Sequence, residues 1–185
     1  NNIPDFSEAT FTDRVNSVFF AIQHAKITKD LQSVRQYVTE GYFNKFRFAL
    51  NQISAGNKVY FIKDLSVEKI TIVKFKQEDN INSITVRIDA RMVEALVDKN
   101  DQSKVYSGSK QRPKYSSELW TFVRGENRDL RSDTRTSVKC PVCGAPANQN
   151  DKEKCEFCGA TMTTQKHEND WLLSDTESDY DSPER

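Results

Sequence analysis

Val67-Glu68-Lys69-Ile70-Thr71-Ile72-Val73-Lys74-Phe75-Lys76 is followed, after Gln77-Glu78-Asp79-Asn80, by Ile84-Thr85-Val86-Arg87-Ile88-Asp89-Ala90-Arg91-Met92-Val93-Glu94-Ala95-Leu96-Val97. Both runs are rich in β-branched residues and alternate apolar with polar, which is the pattern of half-buried strands, and the polar tetrapeptide between them reads as a turn. The spacing predicts a long antiparallel hairpin. Downstream, Ser116-Ser117-Glu118-Leu119-Trp120-Thr121-Phe122-Val123-Arg124 reads as another strand and Asp170-Trp171-Leu172-Leu173-Ser174 as a last one. Asp98 to Arg112 is polar and reads as a loop.

Upstream the period changes from two to between three and four. Phe11, Val15, Val18, Phe19 and Ile22 fall on one helical face, with Ser7 or Thr10 able to cap its start. Lys26 to Asp30 is a break. Leu31, Val34 and Val38 make a second short helix with Asp30 as candidate N-cap, and Tyr42, Phe43, Phe46, Leu50 and Ile53 a third that stops near Gly56-Asn57. Helices first and long strands afterwards predict an α+β fold, three N-terminal helices packed on a curved antiparallel sheet. Phe19, Phe20, Tyr37, Tyr42, Phe43, Phe46, Phe61, Phe75, Trp120 and Phe122 are its candidate core, and some could instead line an apolar pocket for a lipid tail or a partner's hydrophobic peptide.

At 185 residues such a core forms without disulfides. The longest apolar run, Val18-Phe19-Phe20-Ala21-Ile22, is far below a membrane span, and no signal peptide is visible. The sequence opens at Asn1 without Met, so an anchor upstream is compatible with it. Net charge is zero but uneven: residues 1–139 carry 23 Lys and Arg against 17 Asp and Glu, and residues 140–185 carry 4 against 10. An evenly solvated surface is the ordinary explanation for the basic part. A preference for an acidic partner or anionic lipid headgroups is the functional one.

Cys140-Pro141-Val142-Cys143-Gly144 and Cys155-Glu156-Phe157-Cys158-Gly159 are the sharpest motif. Two C-x-x-C pairs, each followed by glycine, bring four thiolates to one tetrahedral zinc site with no open position for a reacting water. The expectation is one structural Zn²⁺ on Cys140, Cys143, Cys155 and Cys158, with disulfides or a redox or iron site as the alternatives. The expected organisation is an α+β domain over residues 1–137 completed by a strand at 168–175, a zinc ribbon inserted at 138–164, and an acidic flexible tail at 176–185. The acidic surroundings of the ribbon argue against nucleic acid.

Catalytic signatures are sparse. His24 and His167 are the only histidines, both read as surface or structural residues, and no Gly-rich phosphate loop or nucleophile elbow is present. Asp89 and Glu118 lie on strands and could face a cavity, although the polar side of an alternating strand explains each.

With these elements placed, Phe11, Val15, Phe19 and Ala21-Ile22, then Asp30-Leu31, Val34-Arg35-Gln36-Tyr37-Val38-Thr39-Glu40 and Tyr42-Phe43, resemble the Tim44-like domain, named for the subunit that tethers the import motor at the mitochondrial inner membrane. The resemblance covers roughly residues 5–175 and is greatest to bacterial members in which such a ribbon precedes an Asp-Trp-Leu-Leu strand. It implies a nuclear-transport-factor-two-like cone and a non-enzymatic, membrane-associated domain that binds a protein partner or an anionic membrane, at the cytoplasmic face or in the cytoplasm. It does not imply protein import, because this chain adds a ribbon and shows no chaperone-recruiting N-terminal region. A small-molecule-binding or catalytic cone built around Asp89 or Glu118 is the other reading.

Overall fold

A computed structural model of the chain describes residues 6–125, 138–139, 146–147 and 171–178. Cys140, Cys143, Cys155, Cys158 and His167 lie outside the described residues, as does most of the expected ribbon.

Helix α1 spans Glu8–Thr28. The Ser7 side chain accepts from the Thr10 N–H at its start, and Lys29 turns left-handed and ends the helix within the expected break at 26–30. Its buried face, Phe11, Val15, Val18, Phe19 and Ile22, is the one the period dictates. Asp30 does nucleate the next element, its carboxylate accepting the N–H of Gln32 and of Ser33, but that element is a 3-10 helix, Gln32–Tyr37. Helix α2 runs Glu40–Ala55 from a Thr39 cap that accepts the Tyr42 N–H. Glu40 and Gly41, ahead of the expected apolar face, form its first turn.

The strands are β1 Lys58–Glu78, β2 Ile81–Asp98, β3 Val105–Gly108, β4 Lys114–Gly125, β5 Val138–Lys139, β6 Pro146–Ala147 and β7 Leu172–Ser178. β1, β2, β4 and β7 are adjacent in that order in one antiparallel sheet, with β3 also on β2; β5 and β6 pair separately. The hairpin reading holds. Its turn is Asp79-Asn80, both at positive φ (46° and 63°), the pairing that matches the right-handed twist of the flanking strands.

β1 begins at Lys58, where the period-two pattern sets in, and three bulges break its strict alternation. Its residues against the core are Tyr60 and Ile62, then Leu65 and Val67, then Ile70 and Ile72, then Phe75. The register shifts fall between Lys63 and Ser66, Val67 and Lys69, and Ile72 and Lys74. Each one changes the parity of the strand and returns the next apolar residue to the helix side. On β2 no such correction is needed: Ile84, Val86, Ile88, Ala90 and Met92 all face the helices and are buried. Phe11, Phe19, Trp120, Phe122 and Trp171 fill the space between the layers, with ring centroids 5.2 Å apart for Phe19–Trp120 and for Phe11–Trp171. Phe20, expected in the core, is 40% exposed, because the helical period carries it off the buried face of α1.

Two further expectations are corrected. The 98–112 loop contains β3, and the residues it covers explain why: Val93, Ala95 and Val97 point away from the helices yet are at most 3% exposed. Val59 and Val105 lie opposite Val97, and Phe61 and Gly108 opposite Ala95, so the loop closes a small apolar layer on the outer face. At Gly108, φ is +75° and an added Cβ would stand 2.3 Å from the Glu94 carbonyl oxygen. Gly108→Ala is expected to detach β3 and cost about 1–3 kcal/mol, read as faster amide exchange at Tyr106 and Ser107 and a lower urea midpoint. The second correction concerns the tail placed at 176–185. Its first three residues, Thr176, Glu177 and Ser178, pair with Trp120, Leu119 and Glu118 of β4, whose backbone edge extends that far.

Candidate functional site

The helices do not cover the sheet completely. Between the C-terminal half of α1, the length of α2 and the sheet lies a cleft of about 280 Å³. Ile22, Phe46, Leu50, Tyr60 and Trp120 make its walls apolar. α2 lays Phe46 and Leu50 toward the sheet one turn apart, while Lys45 and Ala49, on the adjacent helical stripe, remain exposed at the mouth. Lys26 of α1 is the second cation there, its ammonium 5.4 Å from the centre of the Tyr60 ring. Lys45 reaches across to Asp175 of β7 at 3.0 Å.

The polar atoms inside are few. Glu118 shares the helix-facing side of β4 with Trp120 and accepts the Trp120 indole N–H at 2.8 Å. The Tyr42 phenol is hydrogen-bonded to Thr176, and its pKa is pushed up from 10.0 to about 12. Burial is the main cause; the Thr176 bond opposes it, while the charges of Glu118 and Asp175 add to it. Tyr60 is raised for the same first reason, with Glu94 adding.

A pH prediction follows. Above pH 10 an unfolded tyrosine ionises while folded Tyr42 keeps its proton, so the folded state binds more protons between pH 10 and about 12 and loses stability as pH rises through that window. The loss is about 1.4 kcal/mol per unit at most. Tyr42→Phe should make the fall in urea midpoint over that window shallower. A parallel fall in both proteins would refute the assignment.

The sequence nominated Asp89 or Glu118 for the base of a cavity, and the sheet puts the two on opposite faces. Asp89 is odd-numbered on β2, on the face away from the helices, where it accepts the Ser117 hydroxyl at 2.7 Å. Glu118 faces the cleft. His24 is exposed on α1. Tyr42 stood among the aromatics that could line a pocket, and it does; the cations Lys26 and Lys45 were not singled out, because a lysine at every third or fourth position of a surface helix is too common to mark a mouth. Among the described residues no group of three or more His, Cys, Asp or Glu side chains is placed to hold a metal ion.

β5 and β6 pair Val138 with Ala147 and Lys139 with Pro146, the residues that flank 140–145 in the sequence. That segment carries Cys140 and Cys143.

A family model described as the Tim44-like domain matches residues 2–135. Among solved structures, the crystal structure of the intermembrane space region of chloroplast protein ARC6 is similar at a TM-score of 0.49 and 7% identity, over 95% of this chain and 98% of that one. No curated protein sequence matches.

Proposed function

This chain belongs to the Tim44-like domain family, and on that premise we propose that it is a non-enzymatic binding domain working at a membrane, whose cleft seats the apolar chain of an anionic amphiphile. The observation that carries the reading is the cleft itself: apolar walls from two helices and the sheet, with Lys26 at its mouth and Lys45 there bridging to Asp175. At about 280 Å³ it lies at the small end of ligand sites and admits one chain rather than a whole lipid. A protein partner that presents an apolar side chain next to a carboxylate meets the same chemistry. No helix among the described residues is long and apolar enough to cross a membrane, so contact with a bilayer would be made by a surface or by a tether elsewhere in the protein. The cytoplasmic face is the side we assign.

Glu118 favours the catalytic alternative only weakly. Its Oε2 is taken by the Trp120 indole, and Asp89 lies on the other face of the sheet, away from the cleft.

The ribbon is proposed as a structural unit over 138–164, inserted before β7, with one Zn²⁺ on Cys140, Cys143, Cys155 and Cys158. Two features support it. The four thiolates are the donor set zinc takes in closed sites. The β5–β6 pairing brings together the residues that flank the segment bearing the first cysteine pair, as a metal-binding turn requires.

The cleft reading is tested with a polyene fatty acid whose absorption overlaps tryptophan emission. Trp120 lines the cleft and should be quenched on binding, and Ala49→Phe, an exposed change at the mouth, should weaken binding at least tenfold without lowering the melting temperature. Equal binding by the variant, or no binding by the parent, would sink the reading.

A further inference from the structure

We infer that the segment 98–115, folded over the outer face of the sheet, is the surface that lies on an anionic lipid bilayer. The inference rests on the reading that the domain works at a membrane, and adds which face meets the lipid. The first argument is charge. Lys99, Lys104, Lys110, Arg112 and Lys114 stand here against Asp98 and Asp101, a balance of +3 in a chain whose total is zero. Lys114 has a partner in Glu94, whereas Lys99, Lys104 and Arg112 are exposed and have no carboxylate within ion-pairing distance among the described residues.

The second argument is the apolar content between those cations. Every residue of β3 is exposed, and Val105 and Tyr106 offer a β-branched and an aromatic side chain at 42% and 40% exposure. An aliphatic tip beside an amphipathic ring and several ammonium groups matches the headgroup layer of a bilayer, where tyrosine and lysine both concentrate.

The segment is also preorganised. Asp98 accepts the N–H of Asn100 and of Asp101 and the Tyr106 hydroxyl, and Asp101 accepts the Ser103 N–H and hydroxyl. These bonds hold both carboxyls below the usual carboxylate range, chiefly the Asn100 N–H for Asp98 and the Ser103 hydroxyl for Asp101. The two acids are thus committed to the loop's own backbone, and little ordering remains to be done on docking.

Nucleic acid is the other polyanion to weigh. Base stacking needs a free ring face. The Lys58 and Lys104 ammonium groups lie 4.6 and 5.0 Å from the centre of the Tyr106 ring, and the Arg91 guanidinium 5.9 Å from that of Tyr115. A base could stack on Tyr106 only by displacing two ammonium groups, which favours the bilayer.

The test uses the full chain and vesicles of phosphatidylcholine with and without phosphatidylglycerol. The parent should cosediment with the anionic vesicles only, less so as salt is raised. Each cation near the surface is worth roughly fivefold, so K99Q/K104Q/R112Q should weaken binding about a hundredfold. K69Q/K74Q/K76Q, which removes the same charge from exposed positions on β1, should bind as the parent does. Val105→Trp, independent of the charge changes, should emit further to the blue on anionic vesicles. Equal losses in the two triple variants, or no blue shift, overturn this inference while leaving membrane work standing. A parent that ignores anionic vesicles overturns both. Tight binding of a single-stranded oligonucleotide with no vesicle binding would assign the surface to nucleic acid instead.

Discussion

Trp120→Ala should cost about 3–5 kcal/mol and leave the domain largely unfolded at body temperature. Trp120 is 1% exposed, and its ring sits 5.2 Å from Phe19 on α1 and 6.5 Å from Phe122 on its own strand. It pairs across β2 with Val86 and across β7 with Thr176, so its removal opens a cavity where the helical layer, the central hairpin and the last strand meet. The change also leaves the Glu118 carboxylate without the indole donor. That second loss is the smaller one, because Glu118 faces the cleft and water can replace the indole N–H. Trp120→Phe separates the two effects: most of the packing stays and the hydrogen bond goes, for a loss of about 1–2 kcal/mol. Phe48→Ala is the control, 66% exposed on α2 and expected within about 0.5 kcal/mol of the parent. The measurement is the urea midpoint at constant slope. A Trp120→Ala loss below about 1 kcal/mol would mean that this packing junction does not hold the layers together.

Where burial is one-sided and regular, the residues announced the fold. The heptad-like spacing of Phe11, Val15, Val18 and Ile22 and the even-numbered apolar series of β2 both survive intact in the structure. What escaped was irregular or non-local. The stretch 58–66 showed the change of period without a regular strand pattern, because strict alternation fails at each bulge, and a bulge is defined by the partner strand, which a linear reading does not contain. β3 was lost because four exposed residues, Val105-Tyr106-Ser107-Gly108, have no periodicity of their own and are held by the edge of β2. The three residues Thr176, Glu177 and Ser178 look like an acidic tail and become strand because β4 offers them a free backbone edge.

The candidate site divides the same way. Sequence placed Asp89 and Glu118 on strands correctly but could not say which faces they share, since their relative side depends on how β2 registers with β4. Asp89 pairs with Ser117 and Ile88 with Glu118, which puts the two carboxylates on opposite faces. The β4–β7 pairing brings Thr176 beside Trp120 and α2 brings Tyr42 to Thr176, two residues that lie 134 apart in the chain.

Zinc removal should have a large effect on the ribbon and a small one on the rest. Protein purified without added metal should hold one zinc per chain, and Cys140→Ser or Cys158→Ser should abolish it. In peptides of this kind, metal binding supplies on the order of 10 kcal/mol of folding energy, so a ribbon with almost no core of its own should unfold when stripped. The α+β body responds differently. Its layers are closed by β7, which pairs with β4 across an intervening stretch, residues 126–171, that includes the proposed ribbon. A folded ribbon at 138–164 shortens the effective connection to less than half its length. Unfolding it roughly doubles the loop that β7 must close, and each doubling costs about 0.6 kcal/mol. Chelation should therefore lower the melting temperature of the body by only a few degrees while releasing all the metal. β7 should be the element most affected, seen as faster amide exchange at Leu172 and Leu173, which pair with Val123 and Phe122. A body that collapses entirely on chelation would show the ribbon packed into the fold as part of its core. A chain with no zinc and unchanged exchange at β7 would return the four cysteines to disulfide or redox chemistry, and the insertion would lose its structural role.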